Sequence, residues 1–243
     1  MKLIIKALLF SLLFVSCKTY NLFETKSPVL NDTLTFVYDD NYQYKIRKDD
    51  KLTISVWGEE NLSVGSVYGI YNSNEVYGKW LLVDTDGNIE IPKIGTTNVI
   101  NKTIPELKEL IKNQLKKEII KPIIDIKVLN KEITILGEVR SPNVIVVDKD
   151  RNTLLEMITR TGGFEFYANL KSIKILRQEG EDVRITNIDL TKPDNILNKN
   201  IQLHPGDIVI VPSKKNKEFD RRVSIIIPFT TTISAAAIIM GMF

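Results

Sequence analysis

The chain has 243 residues, with 33 Lys and Arg against 30 Asp and Glu, a formal net charge of +3. This near-neutral balance does not indicate a nucleic-acid-binding role, which normally depends on a strongly basic surface. The single cysteine and single histidine exclude an internal disulfide and a metal centre built from several such ligands. The length is sufficient for one large domain or two small ones.

The first 16 residues have the pattern of a signal peptide. Lys2 and Lys6 give a basic start, and the largely apolar run 7–15 follows, as in the central region of a secretory signal. A small residue then precedes Cys17. This end resembles the lipobox of bacterial lipoproteins, in which the cysteine becomes the acylated first residue. The alternative is an ordinary signal peptide with an incidental cysteine.

Residues 17–41 lack a clean periodicity and contain Ser-Pro and Asn-Asp pairs, which indicates an irregular, lipid-attached tether. The first folded unit is predicted over 42–130. It begins with Leu52, Ile54 and Val56 alternating with polar residues, the mark of a half-buried strand.

The rest of the first unit is predicted as a hairpin, a helix and a strand. Asp86-Gly87 between two apolar runs favours a hairpin turn. Thr103 and Glu106 have the spacing of a capping box, and Pro122 is expected to end the helix. A strand over 123–129 closes the unit. The apolar positions at helical spacing are Leu107, Leu110, Ile111, Leu115 and Ile119.

The second folded unit is predicted over 131–213. It starts with two strands joined by a turn, and a short helix over 152–160 follows, which Gly162-Gly163 is expected to end. Two further strands pair around a turn at Glu179-Gly180, and an apolar strand closes the unit. Mixed strands and helices in each unit give the α+β fold class.

A short pattern occurs in both units. Leu203-x-x-Gly206-Asp207 repeats Ile46-x-x-Asp49-Asp50, and alternating apolar residues follow in each case. The repeat predicts two related turn–strand elements.

The C-terminal end is predicted to enter a membrane. A charged stretch, 214–222, is expected to be a basic linker, and 223–243 has no charged residue. As a helix this segment would reach about 30 Å, enough to cross a hydrocarbon core. Ser224, Thr231 and Ser234 share one arc of that helix. The helix either packs beside copies of itself, with this arc facing a pore, or anchors alone with lipid on all sides.

The flanking charges favour one membrane over the other. If Cys17 is lipidated, the basic linker lies outside the cytoplasm, and an inner-membrane span would then oppose the positive-inside tendency. The outer membrane is therefore the preferred location, with the folded units in the periplasm.

Aromatic residues concentrate around one predicted loop. They are Trp57, Tyr68, Tyr71, Tyr77 and Trp80. Their rings are candidates for contact with sugar rings or with another protomer. The alternative is a loop with its own small hydrophobic patch.

Motifs for catalysis and cofactor binding are missing from the sequence. There is no phosphate-binding Gly-x-x-x-x-Gly-Lys motif and no Gly-x-Ser-x-Gly nucleophile motif. His204 precedes Pro205-Gly206 and is interpreted as a turn residue. We therefore expect no enzyme activity, no catalytic residues, no cofactor and no metal.

In combination these features resemble the outer-membrane polysaccharide export lipoproteins. In the first unit the resemblance rests on Tyr44, Asp50, Leu52, Ile54, Val56, Asp86, Gly87, Ile91, Pro92, Gly95, Glu106 and Leu107. In the second it rests on Gly137, Pro142, TLLEMI at 153–158, TGGF at 161–164, Arg177, Pro205-Gly206-Asp207 and Pro212. The resemblance implies an export-type α+β domain, one soluble-ligand-binding β-grasp (SLBB-like) domain and a C-terminal transmembrane helix.

The resemblance also implies a function. Members carry capsular polysaccharide or exopolysaccharide out of the cell, so the expected partners are copies of this chain, a polysaccharide chain, membrane lipid and an inner-membrane polysaccharide co-polymerase or tyrosine kinase. No nucleic-acid partner is expected. Protomers would form a ring whose C-terminal helices line the exit. The alternatives are a periplasmic glycan- or ligand-binding lipoprotein and an inner-membrane-anchored component of a polysaccharide assembly complex, both without a pore.

The sequence departs from the family pattern in two places. The family's Pro-Gly-Asp turn in the first unit reads Lys48-Asp49-Asp50 here, and aspartate accepts strained turn geometry less readily than glycine. The chain also has one β-grasp unit where larger members have several.

Overall fold

The computed structural model describes residues 39–65, 79–180, 182–191 and 201–224. Several predicted features lie outside these residues: the signal peptide, most of the tether, and most of the membrane-spanning segment. The predicted site residues outside them are Cys17, Tyr68, Tyr71, Tyr77, Thr231 and Ser234.

The first unit is built around one central strand. Strand β1 (Lys51–Val56) lies between β2 (Leu81–Leu82) and β5 (Ile124–Val128), and both neighbours are antiparallel to it. Every residue from Leu52 to Val56 is buried, so the prediction of a half-buried strand is wrong. The reason is tertiary packing: the chain at Val64 exchanges two backbone hydrogen bonds with Ile54 and covers the remaining edge of β1.

The hairpin of this unit lies further along the chain than predicted. Strands β3 (Asn88–Ile91) and β4 (Gly95–Asn98) pair with each other. The predicted turn occurs at Gly87, between β2 and β3. These two strands do not pair with each other, because β2 pairs with β1 and β3 pairs with β4. The Asp84 carboxylate accepts the backbone N–H groups of Asp86 and Asn88 and holds this turn.

Helix α1 (Ile104–Leu115) covers the core of the first unit. The predicted capping box is confirmed, since Thr103 and Glu106 each accept the backbone N–H of the other. Leu107, Ile111 and Leu115 are the buried positions. The helix ends at Leu115, so the prediction that it runs to Pro122 is wrong.

The second unit contains one five-stranded mixed sheet. Its strands are β6 (Glu132–Gly137), β7 (Asn143–Val146), β9 (Ile173–Glu179), β10 (Asp182–Ile188) and β12 (Ile208–Val211). Their order in the sheet is β10-β9-β12-β6-β7. Strand β12 runs parallel to β6, and the other pairs are antiparallel. The predicted pairing of β9 and β10 around Gly180 is confirmed.

One short helix and one short strand pair complete the second unit. Helix α2 (Leu154–Arg160) begins two residues later than predicted, because the preceding residues form β8 (Asn152–Thr153), which pairs with β11 (Gln202–Leu203). Thr153 accepts the backbone N–H of Glu156 and caps the helix. Each unit has its own hydrophobic core, as the α+β interpretation requires.

A third helix begins at residue 217 and is described as far as 224. Within the described residues, none of the helices is both long enough and apolar enough to cross a membrane. The predicted span lies outside this part of the chain, except for its first two residues.

Candidate functional site

Two turns of related construction meet where the two units touch. In the first unit Asp50 accepts the backbone N–H of Arg47 at 2.8 Å, and in the second Asp207 accepts that of His204, also at 2.8 Å. A strand follows each turn directly, β1 in one unit and β12 in the other. The repeat seen in the sequence therefore corresponds to two similar turn–strand elements.

The two aspartates have different buried partners. The Tyr44 hydroxyl donates to the Asp50 carboxylate at 2.9 Å. Asp207 forms a bidentate pair with Arg177, at 2.9 Å from Nε and 2.7 Å from Nη2, and both side chains are almost fully buried. A bidentate pair of this kind fixes the orientation of both groups. Each turn is therefore held rigidly against its own unit.

Three contacts join the units at this point. Arg47 Nη1 donates to the Pro205 carbonyl oxygen at 3.0 Å. The rings of Tyr42 and His204 stack with centroids 3.7 Å apart and planes 12° apart. The backbone N–H of Asp39 donates to Gln202 Oε1 at 2.7 Å. Polar and aromatic contacts thus align the two turns.

A second link lies on the other side of the boundary. Lys131, the first residue of the second unit, is buried and donates to the Asp150 carboxylate at 2.8 Å and to the Asp148 carbonyl oxygen at 2.9 Å. Its ammonium group also lies 5.6 Å from the centroid of the Tyr44 ring, which belongs to the first unit. This lysine anchors the start of the second unit close to the turn of the first.

A cleft of about 520 Å³ opens between the units beside the two turns. Its charged and aromatic lining residues are Asp39, Tyr42, Lys45, Arg47, Arg177, Glu179, His204 and Asp207. The other lining residues are Asn41, Gln43, Thr103, Gln178, Pro205 and Gly206. This volume is within the range of about 300–1,000 Å³ that is usual for small-molecule sites.

The carboxylates of the cleft differ in how they are neutralised. Arg177 pairs with Asp207, and Arg184 pairs with Glu179 at 2.7 Å. Asp39 forms a hydrogen bond with the backbone of Asn41. The ion pairs of the described residues include neither Lys45 nor Arg47. These two unpaired cations therefore outnumber the one unpaired carboxylate of the lining, Asp39.

Burial sets the protonation states in the cleft. Burial lowers the pKa of His204 to about 3, and the nearby positive charges of Arg177 and Arg47 act in the same direction. Burial raises the pKa of Tyr42 to about 12. Both rings are therefore neutral near pH 7. Burial also raises the pKa values of Asp50 and Asp207, whose hydrogen-bond donors act in the opposite direction.

The predicted aromatic residues within the described chain do not meet. Trp57 directly follows the end of β1, whereas Trp80 directly precedes β2, which pairs with the beginning of β1. The two indoles therefore lie at opposite ends of one strand. Trp57 is 50% exposed, and the ammonium group of Lys51 lies 4.8 Å from the Trp80 ring.

One of the three residues predicted to face a pore is described. Ser224 is exposed near the end of the described helix, and its hydroxyl donates to the Arg221 carbonyl oxygen at 2.8 Å. In the part of the chain that the structure describes, no group of three His, Cys, Asp or Glu side chains could hold a metal ion.

The cleft is not predicted from the sequence. The interpretation of His204 as a turn residue is confirmed by its position in the 204–207 turn, but no sequence pattern places this residue in the lining of a cleft. The repeated pattern contains one local signal for the lining. Arg47 stands three positions before Asp50, and His204 stands three positions before Asp207. That the two turns face each other depends on packing between the units.

Comparison with known proteins assigns both units. Residues 39–129 match the family model described as polysaccharide biosynthesis/export protein, and residues 131–211 match the SLBB domain. The mixed α/β fold with an export and an SLBB domain is thereby confirmed.

Two curated proteins are similar over most of this chain. Both are named EPS I polysaccharide export outer membrane protein EpsA. The protein from Ralstonia nicotianae is 28% identical over 188 residues, which is 72% of this chain and 49% of that protein. The protein from Ralstonia solanacearum is 29% identical over 191 residues, which is 72% of this chain and 50% of that protein. The chain thus spans about half the length of these relatives.

Proposed function

The chain belongs to the polysaccharide biosynthesis/export protein family, and from this premise we propose that it takes part in exporting capsular polysaccharide or exopolysaccharide across the outer membrane. The observation that carries the proposal is the order of the units: an export domain followed directly by an SLBB domain. The two relatives that are similar over 72% of this chain are each named as a polysaccharide export outer membrane protein.

The protein is not an enzyme. Proteins of this family transport polysaccharide and do not catalyse a reaction, which agrees with the expectation from the sequence.

We propose that the working form is a ring of identical protomers. A single helix encloses no lumen, so an exit across a membrane requires several copies in closed symmetry. In such a ring 223–243 would cross the outer membrane, with Ser224, Thr231 and Ser234 facing the exit. The absence of charge from 223–243 supports this use.

The N-terminal end gives the proposed ring a second attachment. Residues 1–16 would be removed as a signal peptide, Cys17 would carry acyl chains, and 17–41 would link the lipid to the folded body in the periplasm. One acyl chain gives only marginal membrane binding, and a second anchor makes the attachment stable. The expected partner on the inner membrane is a polysaccharide co-polymerase or tyrosine kinase.

The aromatic residues around the 66–78 segment are proposed as glycan contacts. Trp57 and Trp80 flank this segment, and Tyr68, Tyr71 and Tyr77 lie within it. The exposure of the Trp57 indole supports the proposal, because an exposed ring can lie against a sugar ring.

Export is tested by deleting the gene in the bacterium that produces the protein and measuring polysaccharide on the cell surface and in the medium. Deletion should abolish both, and the full chain should restore them. A chain that ends at residue 222 should not restore export if the tail lines the exit. Lys117→Gln, an exposed change on the export domain, is the matched control and should restore export fully.

Three results would contradict parts of this proposal. Unchanged surface polysaccharide after deletion would contradict the export function. Full restoration by the chain that ends at residue 222 would contradict a pore made by the tail and would instead fit a glycan-binding lipoprotein. Membrane fractionation measures the location independently, and recovery with the inner membrane would contradict the outer-membrane proposal.

A further inference from the structure

The cleft between the domains has the properties of a ligand site. Resting on the proposed function, we propose that it binds an acidic sugar residue of the polysaccharide, with Lys45 and Arg47 holding the carboxylate and the Tyr42–His204 pair contacting the sugar ring. The proposal gives the transported glycan a chemical class, a polymer that contains uronic acid or a similar carboxylate-bearing sugar.

The charges of the cleft favour an anion. Lys45 and Arg47 are both exposed at alternate positions of one extended segment, so their side chains point the same way. Ion pairs with arginine already neutralise Glu179 and Asp207. The charged lining residues are three cations and three carboxylates, but Arg184, from outside the lining, neutralises Glu179. Among the described lining residues without an ion pair, the two cations Lys45 and Arg47 therefore outnumber the one carboxylate, Asp39.

The position of Arg47 is fixed before any ligand arrives. Its Nη1 donates to the Pro205 carbonyl oxygen, and its guanidinium carbon lies 5.4 Å from the centroid of the Tyr44 ring. A guanidinium has five N–H donors, so one hydrogen bond leaves others for a carboxylate. A pre-positioned donor costs less ordering entropy on binding than a mobile one.

The backbone under Lys45 is equally well fixed. Lys45 forms an isolated bridge with Thr103, and Ile46 donates its backbone N–H to the Lys102 carbonyl oxygen at 2.9 Å. The two cations therefore project from a segment that is tied to the start of α1, and their spacing does not depend on a flexible loop.

The remaining groups of the cleft suit the rest of a sugar. The Tyr42 and His204 rings stack on each other and line the cleft at the domain boundary, so each ring keeps one face that the other does not cover. A neutral imidazole has one donor and one acceptor nitrogen, which matches hydroxyl groups. The amides of Gln43 and Gln178, which line the same cleft, can donate to and accept from hydroxyls as well.

The test uses the full chain and two defined probes, trigalacturonate and maltotriose, which differ in their carboxylates. Isothermal titration calorimetry at low salt should show saturable binding of trigalacturonate at least about tenfold tighter than that of maltotriose. Binding should weaken at least about tenfold in Lys45→Gln and in Arg47→Gln. It should also weaken in 0.5 M salt, since salt screens exposed charges. Lys117→Gln, an exposed lysine away from the cleft, is the control and should bind as the unaltered protein does.

Lys45→Gln keeps the test decisive if Arg47→Gln loosens the domain contact, because the structure gives the Lys45 ammonium group no bond across the boundary. Three results would overturn the proposal: no saturable binding of trigalacturonate, equal affinity for maltotriose, or unchanged affinity in Lys45→Gln.

The export measurement tests the proposed function separately. If gene deletion abolishes surface polysaccharide and trigalacturonate does not bind, the cleft proposal alone fails. If deletion has no effect and trigalacturonate binds, the export proposal fails, and the cleft remains a binding site for acidic sugars without a role in transport.

Discussion

Asp50 and Asp207 accept the same hydrogen bond in two different domains, each from the backbone N–H of the residue three positions earlier. The residue before each aspartate has a positive φ, 65° at Asp49 and 95° at Gly206. The two turns thus share a backbone path as well as a hydrogen bond. They differ in the residue that occupies the strained position.

Gly206→Ala should destabilise the SLBB domain and its contact with the export domain. An added Cβ at Gly206 would lie 2.8 Å from Arg47 Nη1, and φ is 95°. Left-handed backbone costs an alanine about 1–2 kcal/mol, and the displaced Arg47 adds to this. Urea unfolding should show a loss of at least about 1 kcal/mol.

Gly163→Ala is the matched control for that change. Its φ is 92°, but an added Cβ would meet no atom within 4 Å. The difference between the two variants therefore reports the contact with Arg47. An equal loss in both would show that backbone strain alone is responsible.

Asp49→Gly should stabilise the export domain. Glycine adopts the left-handed backbone of this exposed position without strain, and we expect a gain of up to about 1 kcal/mol in the free energy of unfolding. The hydrogen bond from Asn130 to residue 49 uses the carbonyl oxygen and is kept. Asp49→Ala removes the same carboxylate but retains Cβ, so it should give no gain. A stabilisation of equal size in both variants would assign the effect to charge.

Arg177→Met should be severely destabilising. It leaves the Asp207 carboxylate buried without its bidentate partner, and breaking a buried ion pair costs about 3–5 kcal/mol. Denaturant unfolding of the purified protein measures the loss. Glu109→Gln breaks the exposed pair with Lys112 on α1, and such pairs are worth less than about 1 kcal/mol. A similar small loss in both variants would contradict the structural role of the buried pair.

The stability of the protein should fall below pH 6.5 because of His204. The pKa of this ring is about 3 in the folded protein and 6.5 in the unfolded chain. Between these values the unfolded chain binds the additional proton, so lowering the pH favours unfolding by at most about 1.4 kcal/mol for each pH unit.

His204→Phe isolates this effect, because it keeps a ring against Tyr42 and cannot take up a proton. The free energy of unfolding of the unaltered protein, relative to this variant, should decrease steadily from pH 7 to pH 4. Asp50 and Asp207 have raised pKa values and act in the opposite direction, but both proteins contain them. A constant difference across this range would show that His204 is protonated equally in both states.

The features that the sequence predicted well are set by neighbouring residues. Thr103 and Glu106 stand three positions apart, so their capping box forms within one turn of helix. The pairing of β9 with β10 likewise needs only the tight turn at Gly180. Elements of this kind depend only on residues a few positions apart, so the spacing of those residues in the sequence is enough to predict them.

The features that were missed depend on distant parts of the chain. The burial of Thr53 and Ser55 requires the segment at Val64 to cover β1, and no local pattern of alternation contains that information. Leu81–Leu82 likewise pair with β1 instead of β3. The cleft is the clearest case, since Arg47 and Pro205 are 158 positions apart in the chain.

The parallel pairing of β12 with β6 has a consequence for how the protein is made. β12 is the last strand of its domain to be synthesised, yet it occupies the centre of the sheet, between β9 and β6. Until residues 208–211 have docked, those two strands have no neighbour on their inner edges. Unpaired edges of this kind are prone to aggregation, so a chain that lacks this last strand should be the form of the domain most exposed to aggregation.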